Sequence, residues 1–417
     1  MLLGMPGKIL VDITPLRESR DFRLLFSGQL ISMLGTQLTV VAIPYQVYRM
    51  THSTLQVGAV SLAQLIPFIF GALYAGPLGD SMDRRRIMLW STAAMGTTSA
   101  LLAVNASLHH SSLLAIYLVS AAAAALNGVN NTARMASVPG LVERRHISAA
   151  AAMMQVTFQV GTVVGPALSG FLLGIGLPLV YGIDAGTFVI ALYATSRMIP
   201  IPPAEGPAVH PWESAKEGMR FLRSRRALQG VYLIDINAMV FGMPRALFPA
   251  MAGSVFGGGT LTLGFLYAAP GVGALIGAVT TGWVTQLKRQ GRAVIVAVLA
   301  WGIAIAVFGL VHTLWVALLM LAIAGWSDVI SAVLRNTILQ TTIPERFRSR
   351  MSSIQMAVVQ GGPRLGDMES GSVATLTSLE FSVVSGGLAC VVGAVLLGLL
   401  MPEFRKHVAP EIDDIPV

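Results

Sequence analysis

Eight charged side chains stand inside apolar stretches of this 417-residue chain: Arg134, Arg245, Arg335 and Arg364 against Asp235, Asp328, Asp367 and Glu369. Left unpaired in a membrane, each would cost roughly 2.5 to 3.5 kcal/mol, about 20 to 28 kcal/mol together, which exceeds a typical net stability of about 5 to 15 kcal/mol. They must therefore pair with one another or line water. A carboxyl group there has a second use, because desolvation raises its pKa and a nearby Arg lowers it, so a movement that changes that distance drives proton uptake or release. Asp367 is the first candidate for such proton coupling, since Arg364 lies one helical turn away on the same face. Asp328 is the second, and Asp235 and Glu369 complete the set. For each, a buried structural ion pair is an equal expectation.

The elements that hold these residues follow from composition. Hydrophobic residues make up 54% of the chain and charged residues only 12%, so polar groups could not cover a water-facing surface. A bilayer core takes about 20 apolar residues per helix. Breaking the sequence at charged and Pro/Gly-rich points predicts twelve spans, near 23–48, 55–79, 87–106, 113–137, 149–174, 177–199, 228–254, 260–284, 293–312, 314–342, 351–377 and 379–402. The predicted fold class is thus all-α, with two pseudo-symmetric six-helix bundles. These cover 1–199 and 228–417, joined by a linker over 200–227.

An internal repeat supports the division. Asn127 and Arg134 recur as Asp328 and Arg335 at an offset of 201. Gly161, Gly165 and Gly170 recur as Gly362, Gly366 and Gly371 at the same offset, and Gly58 and Gly76 as Gly264 and Gly282 at 206. Duplicated halves in an apolar chain mark a transporter whose substrate path runs between them. In the linker, Pro200, Pro202, Pro203, Pro207 and Pro211 forbid one continuous helix. After them Trp212, Ala215, Met219 and Leu222 recur at helical spacing against Lys216, Glu217, Arg220 and Arg223, which predicts an interfacial amphipathic helix.

Basic residues orient the spans. Of the 28 Lys and Arg, four lie within spans and only Arg49 falls at a loop on the far side; the rest lie on the side of the termini. The positive-inside rule makes both termini cytoplasmic in a multi-pass protein of the cell membrane. The net charge of +8 is then topology plus attraction to anionic lipid rather than a nucleic-acid footprint. The single cysteine, Cys390, excludes an internal disulfide and a Cys-based metal cluster. No zinc-protease, nucleophile-elbow or Walker pattern is present, so neither an enzyme nor ATP-driven transport is expected. No cofactor or metal is expected either.

The segment Gly76-Pro-Leu-Gly-Asp80-Ser-Met-Asp83-Arg84-Arg85-Arg86 resembles the loop motif between helices two and three of the major facilitator superfamily. Gly76, Leu78, Asp80 and Arg84 match it, while Ser81 and Asp83 depart from its Arg and second Gly. The resemblance implies that Asp80 and Arg84 lock the outward-open state at the ends of spans four and eleven. Arg134 and Arg335, near the cytoplasmic ends, are expected to clasp that side. Gly161-Thr-Val-Val-Gly165-Pro166 resembles the Gly-rich helix-five motif of that superfamily's antiporters, which implies export. Thr51-His-Ser-Thr-Leu-Gln-Val-Gly58, Gly264-Phe-Leu-Tyr-Ala-Ala269 and Leu339-Gln-Thr-Thr-Ile-Pro-Glu345 are similar to the enterobactin exporter branch. What this implies is proton-coupled efflux of a siderophore, or of another amphipathic compound. A multidrug pump and a lysolipid or lipid flippase are the alternatives.

An amide- and aromatic-lined cavity is expected from Gln29, Gln37, Tyr45, Gln46, Asn127, Asn131, Asn237 and Trp326, with Phe158, Gln159 and Phe241 beside them. Arg245 and Arg364 are the cations for a catechol's oxygens. The expected partners are a small-molecule substrate, protons and membrane lipid, with no nucleic acid, around a monomer.

Overall fold

A computed structural model describes residues 12–203 and 211–408. Its spans are Arg20–Thr51, Thr54–Ser81, Arg84–Ser107, Leu113–Leu141, Ile147–Ile175 and Leu177–Ser196 in the first half. Those of the second half are Arg226–Phe241 continued by Phe248–Ser254, then Thr260–Thr280, Gln290–Leu310, Leu314–Thr342, Arg348–Leu376 and Leu379–Leu400. Short polar side chains start several of them: Ser19, Ser53, Ser112 and Ser378 each accept a bond from a first-turn backbone N–H, supplying the partner that a helix N-terminus lacks.

Among the described residues, eleven helices are long and apolar enough to cross a membrane. Span eleven, Arg348–Leu376, is the one of the twelve outside that number. It carries Arg364, Asp367 and Glu369, whose charges lower its mean hydropathy below that of the other eleven. Span seven departs from its predicted continuous form. It stops at Phe241, and a 3-10 turn Arg245–Leu247 precedes its second part. Gly242 and Pro244 account for the break, since proline cannot continue the backbone ladder.

Neighbour relations repeat with a period of six spans. Span one packs on five and six, two on four, and three on four and six; correspondingly seven packs on eleven and twelve, eight on ten, and nine on ten and twelve. The bundles meet principally where span two packs on eleven and span five on eight, and these two contacts exchange under the same rule. The repeat seen in sequence is thus a pseudo-twofold axis in space. Exposed Ile66, Phe70, Leu118, Val189, Ile303, Leu319 and Leu396 give the outer surface an apolar cover suited to lipid rather than water.

Glycine makes both cross-bundle contacts possible. A Cβ on Gly170 would lie 2.7 Å from the Gly264 Cα, and a Cβ on Gly58 would run into the Asp367 carbonyl. Gly371 meets Gly58 and the Thr54 carbonyl, while the Thr54 hydroxyl stands 3.0 Å from the Gly371 carbonyl and from the Thr375 hydroxyl. All of these lie toward the end opposite the termini, so the bundles are joined there. Gly264→Leu is expected to wedge this junction apart. Cysteines placed beside Thr54 or Gly371 should then label several-fold faster with an impermeant thiol reagent; unchanged labelling would mean the contact does not gate that face.

Candidate functional site

Two clusters gather most of the intramembrane charge. The first is internal to the second bundle: Arg335 Nη1 of span ten lies 2.6 Å from Asp235 Oδ1 of span seven, and Arg335 Nη2 lies 3.7 Å from Asp328 Oδ1. The Asp235 and Arg335 side chains are 8% and 7% exposed, that of Asp328 33%. Asp328 and Arg335 are seven residues apart, about two helical turns, so the long guanidinium reaches back along its own helix while also bridging to span seven. One cation faces two carboxylates. The trio is neutral only when it holds one proton, and a low-dielectric surrounding favours a neutral assembly.

The second cluster lies where spans two, seven and eleven meet. Asp367 is buried, with the Ser61 hydroxyl, the Ala246 backbone N–H and the Arg245 and Arg364 cations as its neighbours. The break in span seven is what turns Arg245 toward span eleven. The Tyr267 hydroxyl donates to the Arg245 carbonyl at 3.0 Å and holds that turn. Arg364 donates to the Gln360 carbonyl at 2.6 Å and stands 4.9 Å above the Phe68 ring of span two. That cation–π contact crosses between bundles. Two cations face one carboxylate here, so this cluster is formally positive where the first is formally negative.

The remaining predicted residues divide by role. Arg134 donates to Asn131 within span four. Arg335 is a buried partner whose ion pairs among the described residues lie inside one bundle. Gln46 accepts from the Tyr181 hydroxyl at 2.8 Å and is buried, Asn237 donates to the Cys390 carbonyl at 2.9 Å, and Trp326 donates to Thr280 at 3.1 Å. These three join helices within a bundle. Gln37 packs against Gly165, and Pro166 is buried beside it. Gln29, Tyr45, Asn127 and Gln159 are partly exposed, Phe158 and Phe241 exposed. Glu369 is partly exposed and makes no ion pair or hydrogen bond among the described residues.

At the loop between spans two and three, the side chain of Asp80 lies outside the described ones. Arg84 donates to the Ala136 carbonyl of span four at 2.7 Å. Asp83, a departure from the family pattern, caps span three through Arg85 N at 2.8 Å and accepts from Ile201 N at 3.1 Å. Asp83→Ala is expected to cost about 1 kcal/mol, read as a lower unfolding temperature in detergent with transport retained. The linker helix Pro211–Arg223 docks on span eleven through Glu217 and Arg350 at 2.6 Å and stacked Phe221 and Phe347; the side chains of Trp212 and Ala215 lie outside the described ones.

Sequence reasoning missed Asp184. This acid of span six is buried and accepts from the Thr39 hydroxyl at 2.6 Å and the Ser99 hydroxyl at 2.7 Å. Its signal was an acid inside the apolar run 177–199, the same signal that marked the other eight. Ser61 and Phe68 were also missed, because nothing in span two alone marks them as facing span eleven.

Two repeated helix bundles, an inter-bundle seam of glycines and paired charges at membrane depth define a membrane transporter of the major facilitator fold. Residues 11–412 match the family described as transmembrane secretion effector, and the chain belongs to that family. It is 33% identical over 403 residues to "Enterobactin exporter EntS" of Citrobacter koseri, covering 96% of each chain. The protein of the same name from Escherichia coli is 32% identical over 399 residues, covering 95% of each. Among solved structures, a mutant form of the nucleoside transporter NupG superposes with a TM-score of 0.72 at 13% identity, covering 91% of this chain and 100% of that one. A bacterial homologue of the iron transporter ferroportin in an inward-facing state gives 0.68 at 16%, covering 93% and 99%. These two share the fold.

Proposed function

We propose that the protein exports a small amphipathic molecule, a siderophore of the catecholate type, across the cytoplasmic membrane by exchange for protons. The observation that carries the coupling is Arg335 held between Asp235 and Asp328, because that trio changes charge by taking one proton and needs no other ion. Asp328 is the more exposed of the two carboxylates and is the residue from which a proton exchanges with the substrate path. Asp367, at the closed seam with Arg245 and Arg364, is the second site. The excess cation there suits an anionic oxygen-rich substrate, since guanidinium groups bind such oxygens bidentately.

The substrate class rests on the likeness to the enterobactin exporters along nearly the whole chain. With basic loops and termini on the cytoplasmic side, the joined ends of spans two, five, eight and eleven face outward and the path opens inward. Substrate then enters from the cytoplasm between spans one, four, seven and ten. Rocking of the bundles carries it across as the glycine seam parts. The protein works as a monomer, and Asp80 and Arg84 hold the opposite, outward-open state.

The test is accumulation into inverted vesicles of a panel comprising a catecholate siderophore, cationic dyes and a lysolipid, with and without an imposed proton gradient. Gradient-dependent accumulation of the siderophore is the expected result. Accumulation of the lysolipid alone would establish a flippase instead, and dyes alone a multidrug pump.

A further inference from the structure

The first bundle contains a buried carboxylate with no cation beside it among the described residues. Asp184 is 1% exposed, and both its hydrogen-bond donors, the Thr39 hydroxyl of span one and the Ser99 hydroxyl of span three, address the same oxygen, Oδ2. Oδ1 is buried and has no donor. It points at a notch over Gly35, where a Cβ would lie 2.6 Å from Oδ1 and would also collide with the Thr187 hydroxyl.

No counter-charge is available from the surrounding helices. Span one carries no charged residue between Arg23 and Arg49, span three none after Arg86, and spans five and six none besides Asp184. The other titratable groups of these helices are tyrosines: Tyr45 and Tyr48 in span one, Tyr181 and Tyr193 in span six. Tyr181 is committed as donor to Gln46. An ionised carboxylate so placed is expensive unless something neutralises it.

We propose that Asp184 is a proton-binding site of the first bundle, taking up a proton on Oδ1 in one conformation and releasing it in another. The step forms one O–H bond, takes the side chain from −1 to neutral and changes nothing else. Its control lies in the two donors, which come from different helices. With both in place the ionised form is held by two hydrogen bonds, and a shift of span one against span three removes one of them and favours the neutral form. A metal cation fits less well, because both hydroxyls already lie at hydrogen-bonding distance from Oδ2 and no carboxylates, histidines or cysteines join Asp184 in a metal-holding group among the described residues. The role of this proton in transport rests on the proton-driven reading above; its binding does not.

Infrared difference spectroscopy on the full-length protein in lipid, titrated between about pH 4 and about 9, reads the site directly. The expected result is a carboxyl C=O band that is lost in Asp184→Asn, kept in Asp328→Asn and shifted in frequency by Thr39→Val, which removes one donor and keeps the carboxyl. Should Asp184→Asn fail to fold, the Thr39→Val shift decides. A spectrum that neither variant changes overturns the proposal, as does a band abolished by replacing potassium with sodium. In vesicles, Asp184→Asn should lower the number of protons moved per substrate. If no compound of the panel is transported, the proton-driven reading fails while the infrared titration still decides for Asp184.

Discussion

Arg335→Met is expected to be the most damaging single substitution in the protein. It leaves Asp235 and Asp328 facing each other with no cation, and removing one partner from a buried ion pair costs about 3 to 5 kcal/mol. That is a large part of any protein's margin, so the variant should accumulate poorly and unfold at a markedly lower temperature in detergent. The physical cause is separable from lost packing. Adding Asp235→Asn and Asp328→Asn removes the stranded charges, and the triple variant should regain most of the stability without regaining coupled transport. A stable Arg335→Met single variant would show that the trio is not held by its cation.

Asp328→Asn is expected to give the largest functional effect with the least structural damage. Its side chain is 33% exposed and 3.7 Å from Arg335, which keeps its closer partner Asp235. Proton-driven efflux in inverted vesicles should fall by about 5- to 150-fold, the range of a coupling free energy of about 1 to 3 kcal/mol. Exchange of labelled for unlabelled substrate, which needs no net proton movement, should persist. The same pair of measurements on Asp367→Asn ranks the two clusters. If both variants keep wild-type proton-driven efflux, the carboxylates are structural ion pairs and coupling lies elsewhere.

The loop of spans two and three shows how a family pattern and a local fold interact. Asp83 replaces a glycine of that pattern, and in the structure it does what a short acid at a helix start does best, accepting from Arg85 N. The same side chain also anchors Ile201 at the exit of span six, which fixes where the linker leaves the first bundle. Arg85 adds to this by donating to the Thr195 carbonyl.

The twelve spans, the duplication and the set of charges that must be paired are all legible in local composition and periodicity. Lipid demands long apolar helices, and the offsets of 201 and 206 between glycines survive as the matched contacts Gly58 with Gly371 and Gly170 with Gly264. The pairing of the charges is settled only in three dimensions. Arg364 lies one turn from Asp367 in sequence, yet its guanidinium turns to the Phe68 ring. Arg335, which its place in sequence marks only as a charge near the cytoplasmic end of span ten, is the buried centre of a trio whose third member, Asp235, is 100 residues away. Side-chain partners across helices depend on helix rotation and on breaks such as the one at Gly242 to Pro244, and these are set by packing between elements rather than by any pattern within one of them. Asp184 itself stands out in sequence as an acid in an apolar run, but its two hydroxyl partners come from spans one and three and become neighbours only when the bundle closes.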